Sequence, residues 1–85
     1  MALEVKPNQA GVKVRSAKDL GAFVQTIRAS QKMTQADIAG LANTGNRFIV
    51  ELEDGKETVQ LNKVLDVLSV LGLEMTISKE EAFKK

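Results

Sequence analysis

Eighty-five residues, 44% of them hydrophobic and 27% charged, make one ordinary globular domain whose core is small, so burial against a partner is a natural supplement. The absence of cysteine and histidine excludes disulfides, thiolate zinc sites, imidazole bases and cysteine nucleophiles, and no phosphate loop, nucleophile elbow or paired-carboxylate motif reopens a route to enzymology. The net charge of +1 hides an asymmetry: residues 1–50 carry seven Lys/Arg against three acids, and residues 51–85 five lysines against eight acids. A polyanion would meet the first half, unless the imbalance is merely solvated surface.

Residues 1–15 have no helical period, hold the single proline, Pro7, and end in the alternation Val12-Lys13-Val14-Arg15; they read as an arm with a short edge strand. The first residues lack the apolar core of a signal peptide and no run approaches a membrane span, so a cytoplasmic protein is expected. Ser16 followed by Asp19 reads as a helix start, because a hydroxyl accepts from an orphan amide and an acid favours the first turn. Leu20, Phe23, Val24 and Ile27 then recur at helical spacing, with an end near Ser30 to Lys32.

Thr34 with Asp37 opens a second short helix whose buried stripe is Ile38, Leu41 and Ala42. Asn43-Thr44-Gly45 is the turn, with Asn43 where a positive φ is needed. A third helix runs from about Asn46 to Asp54, with Phe48, Ile49 and Leu52 apolar and Gly55 as a left-handed stop. Thr58 is expected to cap a fourth helix. Its stripe of Leu61, Val64, Leu65, Leu68 and Leu71 is widened by Val67 and Val70 beyond what a lone surface helix needs, so part of it should pack on another chain. Gly72 ends this helix, and Leu73 to Ser78 alternate with the two-residue period of a strand. A single strand must pair, either with the Val12 to Arg15 segment or with its counterpart in a second copy. Lys79 to Lys85 form a charged tail.

Between Gln35 and Asp54, two short helices around a tight turn require a small residue at their crossing, Ala39, and apolar anchors, Ile38, Ile49 and Leu52. Through Met33-Thr34-Gln35, Ile38-Ala39, Ile49 to Glu53 and Gly55-Lys56, ungapped from Met33 to Lys56, the chain resembles the Xre/lambda-repressor-like helix-turn-helix family. Arg47-Phe48-Ile49 with Glu51-Leu52-Glu53-Asp54-Gly55-Lys56, then Val59-Gln60-Leu61 and Lys63-Val64-Leu65, is similar to the HipB-like branch, DNA-binding antitoxins encoded beside HipA-like serine/threonine kinase toxins. The resemblance covers about Ser16 to Ser78, with two departures. Asn43 replaces the usual turn glycine, and bulky Phe48 stands where a small hydroxyl residue is common, either touching DNA or tilting the helix as a core residue.

The resemblance implies a mainly all-α fold class, a four- to five-helix lambda-repressor-like DNA-binding domain with a short C-terminal β-strand pairing across a homodimer. The arm is then 1–15, the domain 16–78 and the tail 79–85. It implies base reading by Gly45, Asn46, Arg47 and Val50. Arg47 would pair bidentately with guanine, and Asn46 with adenine or with a phosphate. Thr34 and Gln35 match positions that grip the DNA backbone, where their alternative is capping. Lys56 either reaches a phosphate or is an ordinary surface lysine. Arg28 and Glu53 correspond to a structural ion pair between the first and third helices. Dimerisation would fall to Val67, Val70, Leu71, Leu73, Met75 and Ile77. The implied partners are double-stranded operator DNA, a second copy and a HipA-like kinase toxin, in a prokaryotic, nucleoid-associated protein with no cofactor, no catalytic residue and no metal. A stand-alone Xre-type repressor and an interaction module that has lost specific DNA binding remain alternatives at this point.

Overall fold

The computed structural model describes residues 11–79 and contains four helices: α1 (Ala17–Ser30), α2 (Gln35–Leu41), α3 (Asn46–Glu53) and α4 (Leu61–Val70). Of the expected arm and tail, residues 1–10 and 80–85 lie outside the described residues. Helix starts follow local chemistry. The Ser16 hydroxyl accepts from the Asp19 amide at 3.0 Å, while the Asp19 carboxylate accepts from the Arg15 amide at 3.0 Å. At α2, Thr34 and Asp37 form a reciprocal capping box, each side chain accepting from the other's amide, at 3.0 and 2.9 Å.

All four helices end in the same way. The residue after each C-cap adopts positive φ, at Lys32 (59°), Asn43 (57°), Gly55 (87°) and Gly72 (79°). The two backbone bonds of a Schellman turn close behind it, as in Asn43 N–H to Gly40 O (3.2 Å) and Thr44 N–H to Ala39 O (2.9 Å). This pairing satisfies carbonyls that the helix itself leaves orphaned and reverses the chain within three residues. Glycine at 55 avoids the Cβ strain of this conformation, whereas Lys32 bears it.

The core is Val24 and Ile27 of α1, Ile38, Ala39 and Ala42 around α2, Ile49 and Leu52 of α3, and Val64, Val67, Leu68 and Leu71 around α4. Helix α3 packs on α1 and α2, and α2 on α4. At Gly21 the α1 backbone lies directly on the end of α3. A Cβ there would overlap the Leu52 carbonyl oxygen and sit 2.7 Å from that of Glu53. The far end of α1 is tied to α4 by Gln31, whose Nε2 donates to Leu71 O at 2.9 Å.

Four expectations change in detail. Leu41, expected in the buried stripe of α2, is exposed, and Ala39 joins Ile38 and Ala42 in the core instead. Thr58 does not cap α4: Val59 packs against the core, and the helix opens one residue later at Gln60, without a side-chain cap. Val67 and Leu71, expected to cover a partner, are buried at 0% and 3% exposure within this chain; the apolar surplus on α4 is instead Leu61 and Leu65, at 60% and 42%. The buried set 64, 67, 68 and 71 is itself a complete helical stripe, so one side of the wide apolar face suffices for the chain's own core. Finally, no backbone ladder joins the Val12 to Arg15 segment to Leu73 through Ser78, and that alternating segment has no strand partner among the described residues. Of its apolar residues Leu73 is half-buried, and Met75 and Ile77 are exposed.

Candidate nucleic-acid interface

Helix α3 presents two chemically opposed faces. Ile49, Leu52 and Glu53 point inward, while Gly45, Asn46 and Arg47 at its start are exposed and Val50 is half-buried. Gly45 occupies the N-cap with extended backbone and makes no side-chain cap; the Phe48 amide donates to the Gly45 carbonyl at 3.1 Å, and the Asn46 and Arg47 amides are left to solvent or to an incoming acceptor, at the positive end of the helix dipole. Asn43 and Gly45 thus do different work on either side of Thr44: one ends α2, the other opens α3 without closing the Asn46 and Arg47 amides.

The inner face is locked by charge. Arg28 donates from Nε to Glu53 Oε2 at 2.7 Å and from a terminal nitrogen to Oε1 at 2.9 Å, and its other terminal nitrogen donates to Met33 O at 2.8 Å. Only 13% of the Arg28 side chain and 3% of the Glu53 side chain are exposed. The hydrogen bond to Glu53 raises the Arg28 pKa further, against the opposing effect of burial, so the guanidinium is permanently charged. Gln35 joins this cluster, its Nε2 donating to Glu53 Oε1 at 3.0 Å. The Gln35 amide nitrogen is therefore turned inward, and the capping box takes the Thr34 hydroxyl. What α2 still offers outward at its start is backbone, the orphan amides of its first turn.

The outer face carries a second charged group. Arg47, with 89% of its side chain exposed, donates from Nε to Glu51 Oε2 at 3.2 Å, and Lys56 Nζ lies 3.3 Å from Glu51 Oε1. Lys56 holds the Glu51 carboxyl below its ordinary pKa, with a smaller contribution from Arg47 and partial opposition from desolvation. Phe48 is half-buried against the core, and the Lys63 ammonium sits 5.7 Å from its ring centroid. Of the expected site residues, the structure brings Asn46, Arg47 and Lys56 onto or beside α3 and ties the Gln35 amide nitrogen to Glu53. Sequence reading passed over Glu51, Gly21 and Gln31. The four-residue spacing from Arg47 to Glu51 is a visible helix-pair signal, and a glycine inside a helical pattern is a visible sign of close backbone approach.

A capped short helix, a Schellman turn and a second helix packed crosswise by one apolar face, with a polar and cationic start left open, define a helix-turn-helix domain. No protein-family model matches the chain. It is 45% identical over 65 residues to an uncharacterized HTH-type transcriptional regulator, y4mF, of Sinorhizobium fredii (strain NBRC 101917 / NGR234), covering 76% of this chain and 86% of the relative. The chain belongs to the family of HTH-type transcriptional regulators. Its fold is that of HipB structures: it superimposes with a TM-score of 0.76 on a chain of a HipB-O4 20mer complex, at 21% identity, covering 82% of this chain and 99% of that one. With a chain of a HipA-HipB-O2-O3 complex the TM-score is 0.77, with the same identity and coverage. Among the described residues no helix is long and apolar enough to cross a membrane.

Proposed function

We propose that this chain is a DNA-binding transcriptional repressor that inserts α3 into the major groove as a homodimer, and that it is the HipB-like antitoxin of a toxin-antitoxin operon, repressing that operon and docking a HipA-like serine/threonine kinase. The observation that carries the DNA-binding reading is the open start of α3, where uncapped amides stand beside the exposed Asn46 and Arg47. Amides and the helix dipole hold phosphate, the guanidinium fork matches guanine, and the carboxamide matches adenine. The antitoxin reading is supported by the fold shared with chains from HipB-O4 and HipA-HipB-O2-O3 complexes. A second copy is favoured by the alternating segment Leu73 to Ser78, which has no strand partner among the described residues and whose Met75 and Ile77 are 45% and 91% exposed. Two such segments pairing antiparallel about a two-fold axis would satisfy their backbones and cover these side chains.

Selection of duplexes from a random library by the full chain tests the central claim. The expected product is a palindrome with half-site centres one helical turn apart, about 34–36 Å, or a multiple of it. Failure to enrich any sequence would overturn base reading. Sedimentation of the full chain beside a chain ending at Gly72 tests the dimer, which should weaken on truncation. Affinity capture of the native protein followed by mass spectrometry tests the toxin, since a kinase-like chain should co-purify; its absence, with operator binding intact, would leave a stand-alone repressor.

A further inference from the structure

The outer charged group of α3 does more than decorate a surface. Glu51 has both carboxylate oxygens engaged, Oε2 by Arg47 Nε at 3.2 Å and Oε1 by Lys56 Nζ at 3.3 Å, and its own backbone carbonyl accepts from the Lys56 amide at 3.0 Å in the Schellman turn. The carboxylate thus ties the start of α3 to the residue just beyond its end. Glu51 is met through Arg47 Nε, so this contact does not use the end-on pair of terminal nitrogens that forms the fork fitting guanine O6 and N7. An arginine with 89% of its side chain exposed would otherwise lose its rotamer freedom on binding, a cost that ordering in advance reduces.

We propose that Glu51 is a specificity-determining positioning residue: it holds Arg47 by the Nε edge so that the terminal nitrogens meet a guanine, and it offsets the charge of Arg47 and Lys56 so that phosphate alone is bound less well. This inference rests on the reading of α3 as the groove-facing helix. Its two parts act on different quantities. Ordering Arg47 in advance favours the matched base, while a carboxylate between two cations lowers the attraction for any polyanion irrespective of sequence. Discrimination, the ratio of the two affinities, gains from the first; the second lowers both affinities alike and cancels in the ratio.

The test uses the full-length protein, a duplex recovered by selection from a random library with the wild-type chain, and a scrambled duplex of the same composition, titrated at several salt concentrations. Glu51→Ala should bind the scrambled duplex more tightly and lower the ratio between selected and scrambled DNA by about tenfold, most of the fall appearing at one base pair per half-site. Glu51→Gln keeps an acceptor for Nε and removes the charge, so it should tighten scrambled binding as Glu51→Ala does yet retain part of the ratio. In an Arg47→Ala background, Glu51→Ala should lower the ratio no further. A ratio unchanged by Glu51→Ala, with Arg47→Ala effective, overturns this assignment alone. An equal fall in the Arg47→Ala background also overturns it, because Glu51 would then be reading a base itself, as a carboxylate can at cytosine N4. If Arg47→Ala is itself silent, the reading role of α3 fails, and the role of Glu51 with it. Thermal midpoints of all variants should stay close to wild type, which separates positioning from folding.

Discussion

Helix α3 takes part in two arginine–glutamate pairs, one with α1 and one within itself, and they differ in almost everything but chemistry. Arg28 and Glu53 meet across helices, doubly hydrogen-bonded, with 13% and 3% of their side chains exposed. Arg47 and Glu51 meet along one helix, singly bonded, with 89% and 29% exposed. Because Glu51 and Glu53 are two residues apart on a helix, they point to nearly opposite faces, one to the core and one to solvent. Burial decides which arginine serves the fold and which remains available to a ligand. The inner guanidinium is saturated by Glu53 and the Met33 carbonyl, whereas the outer one keeps its terminal nitrogens.

The largest effect that could break this comparison is at the inner pair. Glu53→Ala leaves Arg28 charged and stranded beside an unsatisfied Gln35 amide, and chemical denaturation should show a loss of about 3 to 5 kcal/mol, while replacing Arg28 and Glu53 together with apolar residues should cost far less. A loss as small as that expected outside would mean that water reaches the pair. The outer arginine should behave in reverse. Arg47→Ala should change stability by no more than about 0.5 kcal/mol yet remove about 1 to 3 kcal/mol of discrimination between selected and scrambled duplexes in equilibrium titrations. Lys56→Ala, in the same titrations, should weaken both duplexes alike and reduce the slope of log affinity against log salt by about one for each phosphate no longer neutralised, two in a dimer. If Arg47→Ala instead weakened both duplexes equally, the outer face would grip DNA without reading it.

A further substitution, at Lys32, sharpens the inner half of the comparison. The turn that delivers the Met33 carbonyl to Arg28 passes through Lys32 at a φ of 59°, which costs a residue with a Cβ about 1 to 2 kcal/mol in general. Lys32→Gly should relieve that strain, offset in part by the greater freedom of glycine in the unfolded chain, for a net gain of about 1 kcal/mol in chemical denaturation. Asn43→Gly should gain less, since asparagine tolerates the left-handed region. A destabilised Lys32→Gly would show that the lysine side chain contributes packing that outweighs its backbone.

What could be read from the sequence was local. Ser16, Thr34 with Asp37, Asn43, Gly55 and Gly72 each act within a few residues of where they stand, so the helix starts and stops at these positions are legible before any packing is known. Lys32 gives no such signal, because nothing in a lysine marks positive φ. The face of α4 was illegible for a different reason: seven apolar residues fit more than one stripe, and only the position of α2 selects Val64, Val67, Leu68 and Leu71 for the core over Leu61 and Leu65. Gln35 illustrates a third limit. Its position in the motif suggests DNA, and nothing local to it shows that its amide also meets a carboxylate eighteen residues on, across a helix crossing that sequence spacing does not describe. Glu51 was present at an ordinary helix-pair spacing, and only coordinates reveal that Lys56 closes on its other oxygen.

The smallest effect belongs to pH, and it bears on whether the outer group exists as an ordered unit in solution. Lys56 first, then Arg47, hold the Glu51 carboxyl below its ordinary value, so the folded chain releases this proton at lower pH than the unfolded chain does. Its stabilisation is therefore complete above the ordinary glutamate value of about 4.3 and is lost as pH falls through the lower folded value. Between pH 5 and 8 this group should leave the thermal midpoint flat, and because solvent reaches it, even the acid-side loss should be slight and should shrink in high salt. Side-chain carbon NMR titration reads the group directly. The Glu51 midpoint should lie below the ordinary value, move up in Lys56→Ala, and move up less in Arg47→Ala, in the order of the two contributions. An ordinary midpoint, unmoved by either substitution, would mean that water separates the three side chains in solution, and that Arg47 meets DNA without prior ordering by Glu51.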